Sequence, residues 1–262
     1  MAARGTALIT GASSGIGEQL AHVFAEEGWN LVLTARRRDR LEQLSSTLSA
    51  RFNVDCDVIV GDLSDALTPE HIFNAVRERN REISALVNNA GLGKLAPFVK
   101  TEENTLIDMM AVNMRALTHL TRLFLPGMIA RRRGAILNLG SLAGFLPGPD
   151  MAIYYASKAF VNSFSEALAV ELRGTGVTVT VSCPGPTQSE FGSVAGADAR
   201  RVTRRHSMPA TKVARQAYKA MQAGHVIAIP GLANALVYHA LRFIPRAVTR
   251  RLTGMLNRLT KT

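Results

Sequence analysis

Seven short runs of apolar, largely β-branched residues punctuate the chain at 5–10, 30–35, 57–61, 84–88, 134–139, 177–183 and 225–229, and helix-length amphipathic segments separate them. Continuous apolar runs of this kind suit strands buried on both faces, and parallel strands need long crossovers, usually helical. Helices are read at 15–27, 39–49, 69–80, 103–130, 152–173 and 210–223, with Pro69 and Pro209 near starts, where a missing N–H is harmless. The expectation is an α/β fold: a doubly wound parallel sheet of about seven strands with helices on both faces. At 262 residues the chain is long for one domain, yet α/β sheets of this size commonly form one unit, here 1–232. The segment 187–210 lacks a clear core pattern and is read as a substrate loop.

The first run leads directly into Thr10, Gly11, Ala12, Ser13, Ser14, Gly15, Ile16 and Gly17, and a helical pattern follows. In such a turn Gly11 permits the tight bend, Gly15 lets backbone approach a pyrophosphate, and Gly17 lets the helix pack on the strand. The helix N-terminus adds N–H donors and the positive end of its dipole. The sheet is therefore expected to be Rossmann-like and to hold a dinucleotide against Ser13, Ser14 and Ile16 as well as the glycines.

Tyr154 and Lys158 are four residues apart, so on a helix they project from one face a turn apart. An ammonium beside a phenol favours the phenolate, so Lys158 is expected to lower the Tyr154 pKa toward the range of general acid–base catalysis. Tyr155, three residues from Lys158, could also meet it on geometry alone. Ser141 follows the 134–139 run, which puts its hydroxyl at the C-terminal end of a strand, where open α/β sheets present their ligands. Asn113 lies among apolar neighbours within 103–130 and needs a partner if buried.

With Asn88-Asn89-Ala90-Gly91 after the fourth run and Pro184-Gly185 after the sixth, the order and spacing of these motifs resemble the short-chain dehydrogenase/reductase family, of the NADP-preferring type, over about residues 5–230. The resemblance implies an oxidoreductase that interconverts a carbonyl (ketone or aldehyde) and an alcohol by hydride transfer. It makes Asn113, Ser141, Tyr154 and Lys158 the catalytic set, favours Tyr154 over Tyr155 as general acid/base, gives Lys158 the nicotinamide ribose and Asn113 a water leading to solvent. It also assigns Asp62 and Leu63 to the adenine, Asn89, Ala90, Gly91, Pro184 and Gly185 to the cofactor, and Thr187 to the nicotinamide carboxamide. Family members usually pair through the helices at 103–130 and 152–173, so a homodimer or homotetramer is expected.

The second run ends at Ala35, followed by Arg36, Arg37 and Arg38. A carboxylate at this position binds the ribose 2′-hydroxyl of NAD, whereas arginine accommodates a 2′-phosphate, so NADP(H) is favoured over NAD(H). Segments 142–153 and 188–210 should line the substrate pocket. Their apolar members, Leu142, Phe145, Met151 and Phe191 among them, suit an apolar carbonyl compound; Arg200, Arg201, Arg204 and Arg205 would suit an acidic handle.

The net charge of +11 is unevenly spread. Residues 1–198 carry 18 Lys/Arg against 20 Asp/Glu, whereas 199–262 carry 13 Lys/Arg and no acid. A nucleic-acid role is not expected, because the excess is confined to the last quarter and no stacking aromatics accompany its apolar stripe. That stripe, Leu241, Ile244, Val248, Leu252, Met255 and Leu259, is flanked by Arg242, Arg246, Arg250, Arg251 and Arg258. Residues 233–262 are thus a basic amphipathic helical extension, broken at Pro245. It could contact a membrane surface peripherally through 236–262, pack on a partner subunit, or pack on its own domain. Two distant cysteines, Cys56 and Cys183, give no metal-ligand spacing, so no metal is expected, and with no signal-peptide pattern a cytoplasmic location is the default. A catalytically silent NADP-binding sensor on the same fold is the alternative, opposed by the complete Asn113, Ser141, Tyr154, Lys158 set.

Overall fold

In the computed structural model, which describes residues 4–196 and 207–259, the seven apolar runs become β1 (Thr6–Thr10), β2 (Asn30–Ala35), β3 (Cys56–Val60), β4 (Ile83–Asn88), β5 (Gly134–Leu139), β6 (Val177–Ser182) and β9 (Ile227–Ala228). They form one parallel sheet in the order β3-β2-β1-β4-β5-β6-β9. The strand order reverses at β1, which pairs with β2 on one side and β4 on the other. Ala7, Leu8 and Ile9 are fully buried, as a central strand covered on both faces requires. The last run forms a ladder of only two residues against Val181 and Ser182, shorter than the expected 225–229.

One face is covered by α1 (Gly15–Glu26), α2 (Arg38–Phe52) and α8 (Ala210–Gln222), whose Phe24, Leu41, Leu48 and Tyr218 share a core with Ile9 and Leu33. Phe24 meets the Tyr218 ring edge-on at 4.9 Å, and Trp29 Nε1 donates to the Tyr218 hydroxyl at 3.1 Å. The other face carries α3 (Thr68–Glu78), α4 (Glu103–Met110), α5 (Leu117–Ala130) and α6 (Ala152–Glu171), which bury Ile72, Leu120, Phe124 and Leu168 against Leu8, Leu86 and Ile136.

Two features differ from what the sequence predicts. The segment 103–130 is not one helix: a π-helical turn, Ala111–Ala116, separates α4 from α5 and contains Asn113. Within 187–210, β7 (Thr187–Gln188) pairs with β8 (Met208–Pro209), and a short α7 (Phe191–Val194) follows β7; Arg200, Arg201, Arg204 and Arg205 lie outside the described residues. The extension read over 233–262 forms two helices, α9 (Leu232–Leu241) and, after Pro245, α10 (Arg246–Leu259). No helix among the described residues is long and apolar enough to cross a membrane.

Candidate active site

Because the sheet is parallel, the C-terminal ends of β1, β4, β5 and β6 share one edge, and the sequence motifs meet there. At the end of β1, Gly11 has φ +66°, and a Cβ on it would stand 2.9 Å from the Ala90 Cα. Gly15 has φ +59° and faces the Ser189 side chain; a Cβ on Gly17 would collide with the Gly11 carbonyl and the Asn89 amide. The turn is held from the next strand. Thr10 Oγ1 accepts from the N–H groups of Asn89 and Ala90 at 3.0 Å each, and Asn89 Nδ2 donates to Thr10 O at 2.8 Å and Gly11 O at 3.2 Å. Asn88 is buried away from the edge, donating to Asn138 Oδ1 at 2.9 Å and Thr121 Oγ1 at 3.1 Å.

Ser14 stands at the N-cap of α1 without a side-chain capping bond, which leaves first-turn N–H groups free for an anion. Ile16 packs on the core beneath. At the end of β2, Arg37 reaches Ser13: its Nε and Nη2 donate to Ser13 Oγ at 3.2 Å, and Nη2 also donates to Ser13 O at 3.2 Å. Arg36 Nη1 lies 3.7 Å from Asp62 Oδ2, both exposed, while Leu63 is buried beside them in sequence. These residues fit the adenosine and diphosphate of a nicotinamide dinucleotide: a glycine turn that side chains would fill, an uncapped helix start, and arginines at the end of β2.

The catalytic candidates converge from the π turn before α5, the end of β5 and α6. Ser141 Oγ accepts from Ala143 N at 3.1 Å as the N-cap of a short 3₁₀ turn and donates to Pro184 O at 3.4 Å, and it lies near enough to the Tyr154 phenol to lower its pKa. Lys158, 6% exposed, donates from Nζ to Leu139 O at 2.7 Å and sits 5.9 Å from the Tyr154 ring centroid. A Cβ on Gly91 would lie 3.5 Å from both Lys158 Nζ and Asn113 Oδ1, so these three positions border one space. Asn113 Oδ1 accepts from Leu92 N at 2.8 Å, and Nδ2 donates to Leu92 O and Ser157 Oγ at 2.9 Å each. Its partners are thus local polar groups, held by a helix turn wide enough to admit them.

The electrostatics differ from the sequence reading. Burial pushes the Tyr154 pKa up to about 12, against the lowering effect of the Ser141 hydroxyl. The Lys158 ammonium is beside the ring rather than on the hydroxyl, and its own burial brings its pKa down to about 8. Desolvation of each group, rather than attraction between them, therefore sets the direction of both shifts. Tyr155 is a packing residue: its ring covers Gly148 and its hydroxyl donates to Asn257 Oδ1 at 3.4 Å.

Among the substrate candidates, Phe191 meets the Tyr154 ring at 5.2 Å. Leu142 is buried, its N–H donating to Pro184 O at 3.0 Å. Met151 lines a small depression with Phe98, Asp150 and Ile153. Phe145 is committed to packing against Tyr238, at 4.8 Å, and the Val161, Val181, Cys183 cluster. Thr187 Oγ1 donates to Gly185 O at 3.0 Å, and Gly185 is closely covered by Asn234 of α9.

Two residues escaped the sequence reading. Asn162, one turn beyond Lys158, donates from Nδ2 to Ser141 O at 3.1 Å and accepts from Cys183 Sγ at 3.3 Å, positioning the serine backbone; its i+4 spacing from Lys158 was the available signal. Glu190, preceding α7, takes Arg37 Nη1 at 2.9 Å on one oxygen and Arg40 Nη1 at 2.6 Å on the other. No sequence pattern links residues so far apart.

This fold and this edge define an oxidoreductase of the short-chain dehydrogenase/reductase family, to which the chain belongs: the family model described as short chain dehydrogenase matches residues 5–200. It is 43% identical to sulfoacetaldehyde reductase 2 of Chromohalobacter salexigens over 188 residues, 70% of this chain and 73% of that protein. It is 38% identical to the very-long-chain 3-oxoacyl-CoA reductase of Pyrenophora tritici-repentis over 67% of this chain, and this match spans 53% of the fungal protein's length. Among solved structures, a short-chain dehydrogenase from Sphingobium yanoikuyae in complex with NADPH superposes with TM-score 0.84 at 34% identity, covering 91% of this chain and 92% of that one. A short-chain dehydrogenase/reductase from Burkholderia phymatum in complex with NAD gives TM-score 0.82 at 26% identity, covering 90% and 92%. The enzyme acts between alcohol and carbonyl groups.

Proposed function

We propose that the chain is an NADP(H)-dependent reductase that converts a ketone or aldehyde with an apolar flank to the corresponding alcohol, with Tyr154 as general acid. The observation that carries this reading is the convergence at the strand edge of the buried Tyr154 phenol, the Ser141 hydroxyl that lowers its pKa, and the buried Lys158 ammonium beside its ring.

NADPH, when bound, supplies the hydride. Tyr154, kept protonated at neutral pH by burial, gives its proton to the carbonyl oxygen as alkoxide charge develops there. Ser141 donates a hydrogen bond to the same oxygen, a contribution whose loss typically costs on the order of 10²-fold in rate. Lys158 places a positive charge beside the phenolate left behind and holds the nicotinamide ribose. Asn113, in its π turn, holds a water that carries protons toward Lys158 from solvent. Arg36 and Arg37 receive the 2′-phosphate, Asp62 and Leu63 the adenine, and the glycine turn with Ser13, Ser14 and Ile16 the diphosphate. Asn89, Ala90, Gly91, Pro184, Gly185 and Thr187 wall the nicotinamide side. Phe191 rests on Tyr154, with Leu142 and Met151 on flanking segments, so an apolar substituent is favoured there. Both curated relatives are named for reducing a carbonyl, which supports the direction. The expected assembly is a homodimer or homotetramer through α5 and α6, which expose Ile129, Phe160 and Val170.

The test is a screen of NADPH consumption across ketones and aldehydes with wild type and Tyr154→Phe. Turnover lost by at least about 10²-fold in the variant, with nucleotide binding unchanged, is the expected result. Equal turnover in both proteins would remove Tyr154 from the chemistry. For the cofactor, kcat/KM should favour NADPH over NADH, and Arg36→Asp should narrow or reverse the ratio; an NADH preference in the unaltered protein overturns the NADP assignment.

A further inference from the structure

The last two helices turn their apolar residues outward. α10 meets the body through Thr249, Thr253 and Asn257, which are 6%, 6% and 8% exposed. Thr253 Oγ1 donates to Pro147 O at 2.6 Å and Asn257 Nδ2 to Pro149 O at 2.7 Å, and these bonds fix the rotation of the helix. Leu252, Met255 and Leu256 consequently face solvent at 49%, 63% and 54% exposure. Leu236 of α9, at 72%, and Phe243 in the connecting bend, at 87%, extend the same exposed apolar character. An amphipathic helix on a globular body ordinarily buries its apolar stripe; this one buries hydroxyls and an amide instead. Of the three expectations for this segment, α10 does pack on its own domain, but through Thr249, Thr253 and Asn257 rather than through its apolar residues, which leaves those to face outward.

The charges around that stripe are of one sign. Arg242, Arg246, Arg250, Arg251 and Arg258 are exposed, and no acidic residue follows Asp198 in the chain. We infer that the outward face of α9 and α10 docks on a lipid bilayer surface carrying anionic headgroups. Leu236, Phe243, Leu252 and Met255 enter the boundary between headgroups and acyl chains, while the arginines meet the anionic headgroups above it. A second copy of the chain fits less well, because a two-fold pairing of this face sets arginines against arginines with no carboxylate in either element. The opposite, body-facing side of these helices reaches the active-site region, since Tyr238 of α9 meets Phe145 and Asn257 of α10 accepts from Tyr155, the neighbour of Tyr154. Docking of the outward face would hold that region near the lipid surface.

The experiment is co-sedimentation of the full chain with phosphatidylcholine vesicles containing about one third phosphatidylglycerol, and with phosphatidylcholine alone. It compares wild type, a Phe243→Ser, Leu252→Ser, Met255→Ser variant, and an Arg246→Gln, Arg250→Gln, Arg251→Gln variant; the single Phe243→Ser change serves if the triple apolar variant does not fold. Wild type should partition at least about tenfold more strongly to the anionic vesicles, high salt should weaken that binding, and each variant should lose about tenfold while keeping its helical circular dichroism. Absence of binding, or equal partition to both vesicle types, overturns the inference. So does a wild-type dimer that the apolar substitutions convert to monomer, which would assign the face to a second copy.

Discussion

Lys158 holds a charge where charge is costly. It is nearly fully buried, its pKa is brought down to about 8 from 10.5, and among the described residues it donates to the Leu139 carbonyl. Between those two values the unfolded chain binds more protons than the folded one, so stability should rise with pH across that window, and below it the full cost is present. Lys158→Met, measured without nucleotide at neutral pH, should therefore raise Tm, by an amount equivalent to about 1–2 kcal/mol after the loss of the Leu139 bond, while abolishing turnover; a lower Tm would show that the ammonium stabilises the fold. In the intact enzyme, reduction should slow as pH passes about 8 and the ammonium is lost beside the Tyr154 phenolate, which a pH profile of kcat reads directly. The pairing of Tyr154 with Lys158 was legible because four residues is one helical turn. The direction of the Tyr154 shift was not, because desolvation depends on what surrounds the ring, and Phe191 arrives from a distant loop.

At the scale of elements, the π turn and the short helix α7 each set a functional contact. Asn113→Ala removes three hydrogen bonds and leaves the Leu92 peptide groups unpartnered, so it should cost about 1–3 kcal/mol in denaturant unfolding as well as activity; a loss of activity with unchanged stability would place its whole role in the chemistry. The turn was hidden in the sequence because apolar spacing ran on through 103–130, and one extra residue in a helix leaves no mark on that pattern. Glu190, preceding α7, engages Arg37 and Arg40 at the edge where the 2′-phosphate is expected, and so competes with it for Arg37. Glu190→Gln should lower KM for NADPH about two- to tenfold with little effect on NADH. Arg40, and then Arg37, hold the Glu190 carboxyl below its ordinary range, so the competition persists at neutral pH and is lost only as pH falls through that lowered value. A higher KM in Glu190→Gln would mean that the glutamate helps close the site over the cofactor.

The whole molecule explains why some of it could be read without coordinates. In a parallel sheet every strand ends on the same side, so motifs at the ends of β1, β4, β5 and β6 had to meet once the runs were recognised as strands. Nothing comparable governs the C-terminal helices. Their stripe and charges were visible in the sequence, but which side met the body depended on Thr253 and Asn257 finding the Pro147 and Pro149 carbonyls. On this reading, NADPH held at this single edge would give hydride to a carbonyl carbon while Tyr154 protonates its oxygen. The most direct measurement uses NADPH deuterated at the transferable position of its nicotinamide, a ketone turned over by the enzyme, and mass spectrometry of the product. One deuterium on the carbinol carbon from wild type, and no labelled alcohol from Tyr154→Phe over the same interval, is the expected result. Alcohol formed without deuterium at that carbon, or labelled equally by the variant, would contradict the account.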